Sequence, residues 1–145
     1  MRVLFVCLGN ICRSPTAEAV LRAKRPDLTI DSAGTGGWHV GEAPYGPMQA
    51  QAGQVGYDLS DLRARQFTQS DFDRFDLIIA MDPQNKADIE ALRPPGSQTP
   101  VRLMAEYGPS LPKDTVPDPY YTRDFAKTLS VIEIAMDAMI EDLSL

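Results

Sequence analysis

Residues 3–15 read VLFVCLGNICRSP. Four apolar residues run into Cys7, and Arg13 with Ser14-Pro15 follows six positions later. A short β-branched and aromatic run without polar alternation suits a strand covered on both faces, so Arg2–Cys7 is expected to lie inside a parallel sheet. Gly9 and Asn10 permit unusual backbone angles. Ser14-Pro15 reads as a helix start, with a capping hydroxyl and proline at the first helical position. Strand, loop and helix N-terminus in succession gather backbone N–H groups where the helix dipole favours an anion. The chain's two cysteines, Cys7 and Cys12, both fall in this loop. Their spacing alone is compatible with chance, a metal clip, a disulfide, or a nucleophile in an anion cradle.

Outward from this stretch, the first helix should run to about Arg25, where Pro26-Asp27 stops it. Leu28–Ser32 reads as a second strand closed by a loop over Ala33–Gly37. Pro47–Val55 can form a helix, and Phe75–Ala80 (FDLIIA) is the clearest central strand. Met81-Asp82-Pro83 turns that strand into a helix over about Gln84–Leu92. Pro94–Pro100 connects to a short fourth strand, Val101–Met104. Gly108–Pro119 carries four prolines and is long for a connection, which points to a functional loop. In Thr122–Leu143, Phe125, Leu129, Ile132, Met136, Met139 and Ile140 form one apolar stripe, expected to pack on the sheet. The alternation predicts an α/β fold: a four-stranded parallel sheet with helices on both faces and a phosphate-binding loop after the first strand.

At 145 residues, the chain fits one domain over 1–145. A net charge of −6 disfavours nucleic-acid binding on bulk electrostatics. Val3–Val6 is too short for a signal-peptide core, and no run reaches membrane-spanning length. A cytoplasmic location with reduced thiols is therefore expected, which argues against a permanent disulfide. Structural zinc wants about four ligands, and two cysteines with the single His39 fall short, so no metal is expected. A cysteine–histidine hydrolase would pair the thiol with His39; that residue follows Trp38 in a glycine-flanked loop and should face solvent.

The remaining reading of the loop is chemical. A thiolate at Cys7 would be stabilised by the converging N–H groups, and Arg13 offers a planar fork suited to two phosphate oxygens. The nucleotide-binding pattern ending in Gly-Lys-Ser/Thr is absent. Cys7-Leu8-Gly9-Asn10-Ile11-Cys12-Arg13-Ser14-Pro15 resembles the signature loop of the low-molecular-weight protein tyrosine phosphatases. Asp118-Pro119-Tyr120-Tyr121 resembles that family's second landmark. Asp31-Ser32-Ala33-Gly34-Thr35, Trp38 with Val40-Gly41, Arg63-Ala64-Arg65-Gln66 and Met81-Asp82 match in order, so the likeness spans the chain.

The resemblance implies cofactor-independent hydrolysis of phosphotyrosine on a protein, a tyrosine kinase being one candidate, by a monomer or weak dimer. It makes Cys7 the nucleophile, Arg13 the phosphate fork and Asp118 the general acid and base. Leu8, Gly9, Asn10, Ile11, Cys12 and Ser14 would form the phosphate-binding loop, with Asn10 bonded to Ser32 and Asp82 tied back toward it. Ser14 would support the thiolate or cap the helix, and one hydroxyl can serve both. Trp38, Tyr120 and Tyr121 would wall the cleft, and either tyrosine is a candidate for phosphorylation. His39 and Leu62 depart from common family choices, which bears on specificity and pH dependence. Cys12 would either protect Cys7 by a reversible disulfide or be a small buried filler.

Three rivals share the scaffold or the ligand. An arsenate reductase relay needs two further cysteines, and none follows Cys12. Phosphoarginine phosphatases typically carry threonine where this chain has Ile11. A binding module without turnover would be expected to have lost Cys7 or Asp118.

Overall fold

The computed structural model describes residues 1–108 and 114–145. Four strands, β1 (Arg2–Cys7), β2 (Thr29–Gly34), β3 (Leu77–Ala80) and β4 (Val101–Leu103), form one parallel sheet in the order β2-β1-β3-β4. The helices are α1 (Arg13–Lys24), α2 (Gly46–Gly53), α3 (Asp71–Arg74), α4 (Pro83–Glu90), α5 (Pro119–Thr122) and α6 (Phe125–Asp142), with a 3-10 turn at Met104–Tyr107.

Strand alternation sorts the core into two layers. Val3, Phe5 and Cys7 join Leu21, Ile132 and Met136 on the face covered by α1 and α6. Leu4 and Val6 join Phe72, Ile78 and Ile89 on the face covered by α3 and α4. Every residue from Val3 to Cys7 is buried, which is why β1 reads as an unbroken apolar run. Burying one side chain of Phe5's size contributes roughly 2–3 kcal/mol. β1 pairs with β2 on one side and β3 on the other. The chain thus reverses its winding direction at β1, and in such sheets ligands bind beyond the carboxyl end of that strand. That end is Cys7.

Several boundaries differ from expectation, each for a local reason. β2 continues through Ala33 and Gly34, which pair with Val6 and Cys7, so the expected loop begins later. α1 starts at Arg13 and not at Ser14-Pro15, with Cys12 at its N-cap. Residues 71–74 form α3, a single turn too short to show periodicity, and β3 starts only at Leu77. Asp82 caps α4 by accepting the Asn85 N–H at 2.7 Å, which moves that helix forward to Pro83. Met104 leaves β4 for the 3-10 turn. The last helix begins at Phe125 because Arg123 is left-handed, with φ +61°, and Asp124 caps α6 through the Lys127 N–H. Part of the expected Gly108–Pro119 loop, residues 109–113, lies outside the described residues.

Candidate active site

Residues 8–12 turn over the end of β1 before α1 begins. Main-chain bonds pin this turn from outside. The Thr35 N–H donates to the Cys7 carbonyl at 2.9 Å, Gly36 to Leu8 at 2.9 Å, and Tyr45 to Ile11 at 2.8 Å. Gly34 permits the approach: a Cβ there would stand 2.7 Å from the Leu8 carbonyl oxygen. The Asn10 N–H points to Cys7 Sγ at 3.3 Å. Among the described residues, the N–H groups of Gly9, Ile11 and Cys12 meet no acceptor, and these three residues line the cleft above the turn. Free donors at a helix start are what an oxyanion requires.

Behind the turn, a buried relay fixes where each proton points. Asn10 sits at φ +58°, a conformation that asparagine tolerates better than most residues. Its Oδ1 accepts the Arg65 N–H at 3.0 Å, so Nδ2 donates to Ser14 Oγ at 2.8 Å and Ser32 Oγ at 3.0 Å. Ser32 then directs its own hydrogen to Glu18 Oε1 at 2.6 Å. Ser14, already accepting from Asn10, has its hydrogen free for Cys7 Sγ at 3.0 Å, closer than the Ala33 carbonyl at 3.4 Å. The helix-cap expectation for Ser14 therefore fails: α1 has no side-chain cap, and the hydroxyl belongs to the relay.

Sequence reasoning assigned no role to Glu18 or Arg65. Glu18 follows Ser14 by four residues, on the same helix face, and that was the available signal. Burial pushes its carboxyl above the ordinary range, opposed by the Ser32 bond and by Arg22, whose Nη2 donates to Glu18 Oε2 at 2.6 Å. Arg65 also bonds Asp31 at 3.0 Å and the fully buried Asp71 at 3.0 Å through two nitrogens.

Arg13 is only 2% exposed, and its guanidinium is held in a fixed plane. Nη1 donates to Asp82 Oδ2 at 2.8 Å and to the Val116 carbonyl at 3.0 Å, while Nη2 reaches Asp118 Oδ2 at 3.5 Å. Burial works against its charge; Cys7, Asp118 and Asp82 more than offset this and raise its pKa above the ordinary value. Asp82 thus serves two elements, capping α4 with one oxygen and holding Arg13 with the other. Asp118 is the N-cap of α5, where Oδ1 accepts the Tyr120 N–H at 3.1 Å.

These groups meet at a cleft of about 260 Å³. Cys7, Leu8, Gly9, Ile11, Cys12 and Arg13 form its floor, and Trp38, His39, Asp118, Tyr120 and Tyr121 its walls. Asn10, Ser14, Ser32 and Asp82 do not line the cleft; they stand behind its floor. Trp38 is 75% exposed and Tyr121 73%, so the wall presents open aromatic surface to a planar guest. Trp38 lies across Gly36, where the indole ring leaves no room for a Cβ. The expectation that His39 faces solvent is corrected. Its ring packs on Gly9, its Nδ1 pairs with Glu42, and two-thirds of the side chain is covered. Cys7 and Cys12 are both free thiols. Burial, then the charges of Cys7 and Asp118, push the Cys12 thiol up to about 12. Among the described residues there is no metal-ligating cluster, and no helix is long and apolar enough to cross a membrane.

A chain of this geometry has known counterparts. The family model described as low molecular weight phosphotyrosine protein phosphatase matches residues 2–144. A low molecular weight protein-tyrosine-phosphatase from Streptomyces coelicolor is 44% identical over 96% of this chain and 91% of its own. A crystal structure of a protein tyrosine phosphatase from Entamoeba histolytica superposes with a TM-score of 0.92 at 34% identity, covering 99% of this chain and 97% of that one. The structure of a Drosophila arginine phosphatase superposes with a TM-score of 0.90 at 31% identity, covering 100% and 99%.

Proposed function

The chain belongs to the low-molecular-weight protein tyrosine phosphatase family, and we propose that Cys7, Arg13 and Asp118 carry out its reaction on phosphotyrosine in proteins. The observation that carries this reading is convergence: the thiol, a buried guanidinium and the Asp118 carboxyl line one cleft, although Asp118 lies far along the chain from the other two. The family match over nearly all residues supports a single phosphatase domain. Two free thiols suit a reducing, cytoplasmic setting.

The Cys7 thiolate attacks phosphorus in line, forming the S–P bond as the bond to the phenolic oxygen breaks. Arg13 and the free N–H groups of Gly9, Ile11 and Cys12 hold the equatorial oxygens as charge spreads over them. Substrate phosphate replaces the Asp118 carboxylate as the partner of Arg13 Nη2, and Asp118 enters the step protonated, as a general acid must. Asp118 gives that proton to the departing phenolate, so tyrosine leaves neutral. Water then attacks the cysteinyl-phosphate and passes a proton to Asp118. Phosphate leaves, and Cys7 returns as a thiolate facing the Ser14 hydroxyl.

Aryl phosphate hydrolysis in the presence of a chelator tests the assignment. Cys7→Ser is expected to abolish turnover, and Asp118→Ala to slow it roughly 10²- to 10⁴-fold. Full activity in Cys7→Ser would overturn the mechanism. The likeness to the Drosophila arginine phosphatase favours a second reading, hydrolysis of phosphoarginine. Against it stands Ile11, whose apolar side chain lines the cleft and suits an aryl group. Matched phosphotyrosine and phosphoarginine peptides discriminate the two, with kcat/KM expected to favour phosphotyrosine. Capture on Cys7→Ser or Asp118→Ala protein identifies the physiological partner, for which a tyrosine kinase is one candidate.

A further inference from the structure

Asp118 is held from two directions. Upstream, the Val116 N–H donates to the Met81 carbonyl at 2.8 Å, and the Thr128 hydroxyl to the Pro117 carbonyl at 3.0 Å. Downstream lies α5, only four residues long, and then Arg123. This residue is left-handed at φ +61°, a conformation that a residue with a Cβ keeps only where its surroundings over-determine it. Here they do. The guanidinium stands 5.3 Å from the ring centroids of both Tyr45 and Phe125. Its Nη1 donates to the Tyr45 hydroxyl at 3.1 Å and to the Tyr120 carbonyl at 3.5 Å. Tyr45 also packs against Tyr120, with centroids 5.4 Å apart. The Tyr45 N–H donates to the Ile11 carbonyl of the phosphate-binding loop.

A continuous path thus runs from the loop that begins at Cys7, through Ile11, Tyr45 and Arg123, to the short helix that Asp118 caps. We propose that Arg123 is a positioning residue: by clamping α5 onto Tyr45 it sets where the Asp118 carboxyl stands relative to the leaving oxygen above Cys7. The proposal rests on Asp118 being the proton donor. Arg123 is not among the residues that line the cleft, so the effect expected of the clamp falls on the step in which Asp118 gives up its proton.

The readout follows from that step. Proton donation matters most when the leaving group is a poor one, so a misplaced acid steepens the dependence of log kcat/KM on leaving-group pKa. A series from 2,4-dinitrophenyl phosphate to phenyl phosphate measures this slope. Arg123→Asn removes the clamp while keeping a residue that tolerates the left-handed region, and it is expected to melt no lower than the parent. Its kcat/KM for phenyl phosphate should fall roughly two- to fivefold, the scale of an exposed cation–π contact, with little change for the dinitrophenyl ester. Tyr45→Phe keeps the ring and loses the hydroxyl, and should give a smaller fall of the same kind.

Asp118→Ala is the reference. If its slope equals that of the parent, the proton-donor assignment fails. If Asp118→Ala steepens the slope while folded Arg123→Asn and Tyr45→Phe proteins keep the parental one, the clamp is overturned. An equal fall for every leaving group would also overturn it, because that marks a site damaged as a whole.

Discussion

Replacing Asn10 with alanine removes three hydrogen bonds at once: the buried ones to Ser14 and Ser32 and the partly buried one from the Arg65 N–H. At about 1 kcal/mol for each net bond, their loss amounts to about 3 kcal/mol. Alanine is also less tolerant than asparagine of φ +58°, which costs up to roughly 1 kcal/mol more. The expected destabilisation is therefore about 3–4 kcal/mol. Urea titration measures it as a shift in midpoint at constant slope. Activity should fall too, because Ser14 is released to turn its hydrogen toward the Ala33 carbonyl and away from Cys7. A double-mutant cycle with Ser32→Ala isolates the Asn10–Ser32 bond, with an expected coupling of about 1 kcal/mol. A loss below about 1 kcal/mol in Asn10→Ala, with kcat/KM unchanged, would refute the idea that this relay holds the loop.

Glu18, with its carboxyl raised by burial, binds a proton in the folded chain over a pH range where the unfolded chain has lost it. Folding stability should therefore fall as pH rises from the ordinary glutamate range through the raised one. Unfolding curves across that range should be flatter for Glu18→Gln; an unchanged slope would remove Glu18 as the cause. Gly34→Ala should lower both stability and activity, since the new Cβ would stand 2.7 Å from one loop backbone atom and 3.1 Å from another. The cost is about 1–3 kcal/mol by thermal melting, and parental kcat/KM would show that the loop is not packed as described. The burial that chiefly raises the Cys12 thiol persists when Cys7 is oxidised, so Cys12 attacks an oxidised Cys7 slowly at neutral pH. After peroxide treatment, the fraction of activity rescued by thiol should rise with the pH of oxidation in the parent and stay flat in Cys12→Ser. Equal recovery in both proteins at every pH would leave Cys12 as buried filler.

The parts legible in the sequence are those written in consecutive residues. The apolar run of β1, the Gly-Asn turn and the stripe of α6 are local patterns, and each matches an element of the fold. The meeting of Cys7, Arg13 and Asp118 was legible only through resemblance, because no spacing rule spans the distance to Asp118. The two roles of Ser14 stayed open in the sequence because cap and relay differ by only two residues of helix boundary. Glu18 reaches Ser32 across 14 positions and Asn10 reaches Ser32 across 22, contacts that exist only once β2 lies beside β1. His39 looked solvent-facing because glycines flank its loop, yet its ring settles on a distant glycine, Gly9 of the phosphate-binding loop.

The exposed indole that rests on Gly36 has an optical consequence. Trp38 is the chain's only tryptophan, so the protein's long-wavelength emission comes from one place, the lip of the cleft. Excitation at the red edge of the absorption band makes the molecule a reporter of its own occupancy. Open to solvent at 75%, the indole should emit as a hydrated chromophore and yield readily to acrylamide. A guest seated against that wall would shield it and shift the band to the blue, without a dye or a label attached anywhere.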